Sequence, residues 1–143
     1  MISLLARGEA GSRTFAALVD ALERSDVIVH VDEHLLLDGG HAGETLFVTA
    51  AGGHRYLRIY LDPRIHDDAA IAILGHELQH AWEIAHARWV VNQSTLVELY
   101  EQIGYRSDSG PGWYGVDTRT AQQAAREVRR ELQAFRGRLG ATD

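Results

Sequence analysis

Residues 67–87, DDAAIAILGHELQHAWEIAHA, form the stretch that decides the fold. Apolar side chains recur along it at the spacing of a helix face: Ile71, Leu74, Leu78, Ala81, Trp82 and Ala85. Asp67 and Asp68 favour a helix N-terminus because the positive end of the helix dipole attracts negative charge. Pro63 ends the strand before it, since proline cannot donate to a β-ladder. The stretch therefore predicts one long helix that buries a broad apolar face.

The segments on either side of this helix predict a mixed architecture. Ser12 is suited to cap an N-terminal helix, and Gly52-Gly53 predicts a hairpin between two strands. In chain order the predicted elements are a helix at 12–24, strands at 27–31, 44–51 and 54–61, the helix at 67–87, a helix at 94–103 capped by Ser94, and a helix at 118–139. This order predicts the α+β class, with a short three-stranded sheet packed on the long helix and further C-terminal helices.

Composition limits the classes of function. A chain of 143 residues without cysteine is expected to form a single domain over 1–143, with no disulfides and no thiolate metal site. The net charge of −6 argues against a nucleic-acid partner. No apolar run reaches the roughly 20 residues that span a bilayer, and the N-terminal apolar run is too short for a secretory signal. We expect a soluble protein; its compartment and oligomeric state stay open.

The central helix carries a metal-binding pattern. His76 and His80 are four residues apart, so their rings project from one face about one turn apart and can reach the same ion. Glu77 is turned about 100° from His76. It should therefore lie beside a bound metal, where a carboxylate can accept a proton from a metal-activated water. With no cysteine, the strong ligands must be His, Asp or Glu, and zinc is the metal expected for the His-Glu-x-x-His pattern.

The third ligand has several candidates. His86 completes the metzincin spacing, but that pattern needs a helix-breaking glycine where this chain has Glu83. Glu98 and Glu101 share a face of the next helix, although a buried stripe of Leu96, Leu99 and Ile103 would turn them toward solvent. Asp117 follows a Gly-rich loop that can fold back over the long helix. Asp117 is preferred, with capping of the last helix as its alternative role.

At this point the sequence resembles a known family. The run from Ile73 to Ala81, ILGHELQHA, then Ile103-Gly104-Tyr105-Arg106 and Asp117-Thr118-Arg119, is similar to small bacterial gluzincin-like metallopeptidases of the zincin fold. The resemblance covers roughly residues 55–139. In such proteins a Glu-Thr pair at the head of the last helix supplies the third ligand. This chain has Asp117, which is one methylene shorter, and aspartate serves as this ligand in the aspzincins.

The resemblance implies a minimal zincin-like fold and a zinc-dependent peptidase. His76, His80 and Asp117 would bind zinc, and Glu77 would be the general base. A peptide or protein substrate would pair with an edge strand, for which residues 44–51 are the better candidate, although they could also form an interior strand. Tyr105, Tyr114 and His54 are weaker candidates for stabilising an oxyanion. The alternatives are a non-catalytic zinc-binding interaction module and a zinc hydrolase of a non-peptide amide or ester.

Overall fold

The computed structural model describes residues 2–35, 41–106 and 116–141. In chain order the described elements are α1 (Ile2–Gly11), α2 (Arg13–Glu23), β1 (Val27–Glu33), β2 (Gly43–Ala51), β3 (His54–Leu61), α3 (Asp67–His86), α4 (Gln93–Ile103), β4 (Tyr105–Arg106), β5 (Val116–Asp117) and α5 (Arg119–Gly140). The protein is thus α+β, with a three-stranded mixed sheet and five helices in the described residues.

The main sheet has the strand order β1-β3-β2. β1 runs parallel to β3, with Val27 opposite Arg55, whereas β2 runs antiparallel to it. The predicted hairpin between β2 and β3 is confirmed: Gly52 and Gly53 have φ angles of 61° and 82°, in the left-handed region that glycine adopts without steric cost. In the order β1-β3-β2, β2 lies at an edge of the sheet, which is the position that the sequence favoured.

α3 lies at the centre of the molecule. One side of the helix packs on the sheet through buried Leu57 and Ile59, and its other sides contact α1, α2 and α5. Gly75 allows the close approach of α5, because a Cβ atom there would lie 3.1 Å from Val128 Cγ2. Eleven of the twenty residues of α3 are buried, including the polar Glu77, His80 and Glu83. The central helix thus carries its polar groups into the protein interior.

Several boundaries differ from those predicted. Helix α1, which precedes Ser12, was not predicted from the sequence. Ser12 caps α2 as predicted, because its Oγ accepts a hydrogen bond from Phe15 N at 3.0 Å. The cap of α4 is Asn92 rather than Ser94: the Asn92 side chain accepts from Thr95 N at 2.8 Å, and the Thr95 hydroxyl accepts from Asn92 N at 3.1 Å. This reciprocal pair satisfies two backbone donors that Ser94 would leave open.

Candidate metal centre

His76 and His80 meet on one face of α3, as their spacing predicted. Their rings lie edge to face with centroids 4.8 Å apart, and their Nε2 atoms are 3.2 Å apart. His80 is buried with its side chain 8% exposed, whereas the His76 side chain is 21% exposed. One imidazole is therefore enclosed by the protein and the other borders solvent.

Asp117 completes a group of three potential ligands. It lies on β5, which pairs with β4, directly before the N-terminus of α5. Its Oδ1 is 3.0 Å from His76 Nε2 and 3.3 Å from His80 Nε2. The three ligand atoms all lie within 4.8 Å of one another, so this group could hold a metal ion. The sequence thus identified three residues that the fold brings together; their role as zinc ligands stays a prediction.

The Asp117 carboxylate is held on both oxygens. Oδ1 accepts from Thr118 N at 2.7 Å, and Oδ2 accepts from Gln122 Nε2 at 3.1 Å. The alternative role of Asp117 as the cap of the last helix is wrong, because Thr118 caps α5 by accepting from Ala121 N at 3.2 Å. Asp117 therefore directs an oxygen to both histidines.

Glu83 is a residue of this site that sequence reasoning missed. It is buried, and its Oε2 accepts from His80 Nδ1 at 3.1 Å. Its Oε1 accepts from the hydroxyls of Thr118 and Thr120, each at 2.6 Å. A signal was present in the sequence, because a carboxylate three residues after a histidine shares its helix face. The sequence did not reveal that Thr118 and Thr120, which flank the first residue of α5, would contact it.

The Glu77 side chain extends from α3 to the edge strand β2. It is buried at 6% exposure, and its Oε2 accepts from the Thr45 hydroxyl at 2.7 Å. Gly43 passes directly beside it, since a Cβ atom on Gly43 would lie 3.0 Å from both Cγ and Oε1 of Glu77. β2 therefore contributes the wall that holds this carboxylate.

The other third-ligand candidates lie elsewhere. Glu98 and Glu101 are exposed on α4, as expected, although Ile103 is 45% exposed rather than buried. His86 is also exposed. Its ring stacks on that of Trp82 with centroids 3.8 Å apart, and its Nδ1 donates to the Trp82 carbonyl at 2.9 Å. None of these residues belongs to the ligand group found among the described residues.

The oxyanion candidates gain no support. His54 is exposed at the hairpin end of β3. The Tyr105 side chain and the whole of Tyr114 lie outside the described residues. A different tyrosine, Tyr100 of α4, is buried against His80 with ring centroids 5.3 Å apart. Burial, reinforced by the nearby carboxylates, raises the pKa of Tyr100, so its hydroxyl keeps its proton.

The site is strongly polarised. Burial alone lowers the pKa of His80, but hydrogen bonds to Asp117 and Glu83 outweigh it and raise this pKa to about 10. Burial raises the pKa of Asp117, yet hydrogen bonds from His76 and His80 hold it well below its usual range. The pKa of Glu83 is lowered as well, because the hydrogen bond from His80 overcomes burial. Negative charge thus surrounds the imidazoles and favours a cation among them.

Comparisons with protein-family models, with curated proteins and with solved structures give no significant match to this chain. No helix in the described part of the chain has both the length and the hydrophobicity needed to cross a bilayer. Function must therefore be inferred from the residues of the site.

Proposed function

We propose that this chain is a zinc-dependent peptidase with a minimal zincin-like fold. The convergence of His76, His80 and Asp117, with Glu77 on the next position of the same helix, carries the proposal. A metal site that only stabilised the fold would not need a proton acceptor next to its ligands.

The ligand set supports zinc. Two imidazoles and one carboxylate form a common set in catalytic zinc sites, where a fourth position is left for water or substrate. Ligand atoms bound tetrahedrally at about 2.0–2.1 Å lie roughly 3.3–3.4 Å from one another. The three separations in this group are 3.0, 3.2 and 3.3 Å. The three ligand atoms are therefore close to the separations that a tetrahedrally coordinated zinc ion requires.

Each residue of the site has a task in this proposal. Bound zinc would lower the pKa of a water molecule and polarise the scissile carbonyl. Glu77 would take a proton from this water and later donate it to the amine nitrogen that leaves. The Thr45 hydroxyl fixes one oxygen of Glu77, which leaves the other oxygen to move the proton. The histidines and Asp117 hold no transferable proton in this scheme and act as ligands.

The edge strand β2 supports a peptide as the substrate. An extended peptide can add to an open sheet edge through main-chain hydrogen bonds. Gln93 Oε1 accepts from Phe47 N at 3.2 Å and so occupies the outer edge at that residue. The remaining edge, from Gly43 to Leu46, lies beside Glu77. A peptide paired there would pass close to the general base.

A two-part experiment tests this function. The purified chain should contain one zinc per molecule by elemental analysis, and His80→Ala should lose it because two ligands bind far more weakly than three. With a peptide library, the parent should cleave, and Glu77→Gln should keep zinc and folding but lose cleavage by a factor of about 100 or more. Glu101→Gln, on the exposed face of α4, is the matched control.

Each result discriminates between functions. If the parent binds zinc but cleaves nothing, and Glu77→Gln binds zinc equally well, the result would favour a non-catalytic interaction module. Cleavage of amide or ester compounds but not of peptides would point to a non-peptide hydrolase. Full zinc occupancy in the His80→Ala protein would contradict the ligand assignment.

A further inference from the structure

The Glu83 carboxylate joins the two parts of the chain that carry the ligand group. One oxygen accepts from His80 on its own helix, and the other accepts from Thr118 and Thr120, which flank the start of α5. We infer that Glu83 is a positioning residue that orients His80 and fixes the segment bearing Asp117, so that one buried carboxylate aligns metal ligands from two elements. This inference rests on the metal site of the proposed function.

The contact with His80 fixes one form of the imidazole. Because Nδ1–H donates to Glu83 Oε2 at 3.1 Å, the proton of a neutral His80 is held on Nδ1. In that neutral form the lone pair of Nε2 is available to a metal on the side of His76 and Asp117, to which Nε2 lies at 3.2 and 3.3 Å. A carboxylate in this position also makes the imidazole a stronger electron donor to a metal.

The contact with the threonines acts on Asp117. Thr118 directly follows Asp117, and its backbone N–H donates to Asp117 Oδ1 at 2.7 Å. The hydroxyl of Thr118 bridges Glu83 Oε1 and the first turn of α5, since it also accepts from Ala121 N at 3.2 Å. The place of Glu83 on α3 therefore sets how far Asp117 stands from the histidines.

Stability of the fold alone does not account for this arrangement. Burying a carboxylate costs several kcal/mol, and well-packed apolar residues often hold two helices together equally well or better. Among the described residues, the hydrogen-bond partners of Glu83 are two neutral hydroxyls and the His80 ring. No guanidinium among them neutralises Glu83, so its charge acts on His80.

The test compares three variants by zinc affinity in chelator competition. Glu83→Gln keeps the shape of the side chain but has a single acceptor oxygen. That oxygen cannot accept from His80 and also from the two threonine hydroxyls. Zinc should bind about 10–100-fold more weakly. Thr120→Val removes one hydroxyl without touching the cap of α5, and a several-fold loss is expected. Glu98→Gln, on the exposed face of α4, should bind zinc like the parent.

Two further readouts separate positioning from simple destabilisation. The double variant with both Glu83→Gln and Thr120→Val should be no weaker than Glu83→Gln alone, because Thr120 acts through Glu83. In ¹⁵N NMR spectra of the zinc-free protein, the protected Nδ1–H signal of His80 should be present in the parent and lost in Glu83→Gln. Circular dichroism reports whether each variant is folded, and Thr120→Val carries the test if Glu83→Gln is not.

The outcomes are distinct. Parent-like zinc affinity in a folded Glu83→Gln protein, or an unchanged His80 Nδ1–H signal, would overturn the inference. If Glu83→Gln is unfolded, parent-like affinity in Thr120→Val would overturn it. If the parent binds no zinc while the NMR signal changes as expected, the proposed metal site fails, and the positioning role for a metal fails with it. Weakened binding in Glu83→Gln and Thr120→Val, with the NMR change, supports both.

Discussion

Glu77 and Glu83 are two buried carboxylates on one helix, and their surroundings suit different tasks. Glu83 accepts hydrogen bonds on both oxygens, from three donors. Glu77, among the described residues, accepts a side-chain hydrogen bond only from Thr45. An ionised carboxylate has about four acceptor positions. Glu77 therefore keeps the capacity to accept a proton, whereas Glu83 is committed to holding its partners.

The placement of Glu77 depends on the absence of a side chain at Gly43. In Gly43→Ala the new methyl group would lie 3.0 Å from Glu77 Cγ and Oε1 and 2.8 Å from Ile73 Cγ2, so the carboxylate must shift. A misplacement of about 1 Å can cost a factor of about 100 in rate. The shift of a few tenths of an ångström that these contacts require should therefore lower kcat for the proposed peptide cleavage several-fold. Zinc affinity should stay close to that of the parent.

The matched control for Gly43→Ala is Gly137→Ala. A Cβ atom at Gly137 meets nothing within 4 Å, and this residue lies inside α5. Alanine should raise helix stability there by about 0.5–1 kcal/mol and leave kcat unchanged. A Gly43→Ala protein that retains the parent kcat would show that Glu77 tolerates a different position or is not the proposed base.

At the scale of elements, Arg55 of β3 ties the sheet to the C-terminal end of α3. Its Nη1 donates to the carbonyls of Ile84, Ala87 and Val90 at 2.9–3.1 Å, and its Nε donates to Asp26 at 2.7 Å. The last carbonyls of a helix have no partner within the helix. Arg55 therefore satisfies the end of α3, the helix that carries both histidines.

Replacing Arg55 should destabilise the protein strongly. Arg55→Met removes a charged donor from four carbonyls near the end of α3, of which those of Ile84 and Ala87 keep a backbone donor. It also leaves Asp26 without its guanidinium partner, and the expected loss is on the order of 3 kcal/mol of unfolding free energy. Urea denaturation followed by circular dichroism measures it. Arg24→Met is the control: Arg24 is an exposed partner of Asp20 and should cost less than about 1 kcal/mol. Equal losses in the two variants would contradict this role for Arg55.

The same elements show what the sequence could predict. Periodicity and end signals predicted α3 and the β2–β3 hairpin, because these features depend on residues close together in the chain. The edge position of β2 was only the favoured alternative, since strand order depends on pairing between distant segments. Glu83 was missed because its partner Thr118 is 35 residues away, and nothing local reports that packing. α1 was missed because it is short and contains two glycines, Gly8 and Gly11, which disfavour helix.

At the scale of the whole molecule, a bound ion would join α3 to the segment that begins α5. These two helices pack on each other in the core, where Gly75 of α3 approaches Val128 of α5. A ligand that binds only the folded state stabilises that state in proportion to the logarithm of its concentration over its Kd. Zinc binding and global stability should therefore be coupled.

This coupling should depend on pH with a defined sign. The pKa of His80 rises from 6.5 to about 10 on folding, so its charged contacts stabilise the zinc-free protein fully below about pH 6.5, and this stabilisation is lost as pH rises through about 10. The pKa of Asp117 falls below its ordinary 3.8, so its contribution is present above that value and lost in acid. With respect to these two groups, the zinc-free protein should be most stable between about pH 3.8 and pH 6.5.

Bound zinc should offset this loss of stability at alkaline pH. A histidine ligand must be neutral, so zinc displaces the His80 proton and binds more tightly as pH rises. Without zinc, one proton contributes up to about 1.4 kcal/mol per pH unit, or on the order of 4 °C in Tm for a chain of this size. Calorimetry from about pH 6 to 9, with EDTA or with zinc, should give a falling Tm in EDTA and a growing gain from zinc. His80→Ala should abolish both slopes, and a zinc gain that shrinks as pH rises would contradict the assignment of His80 as a ligand.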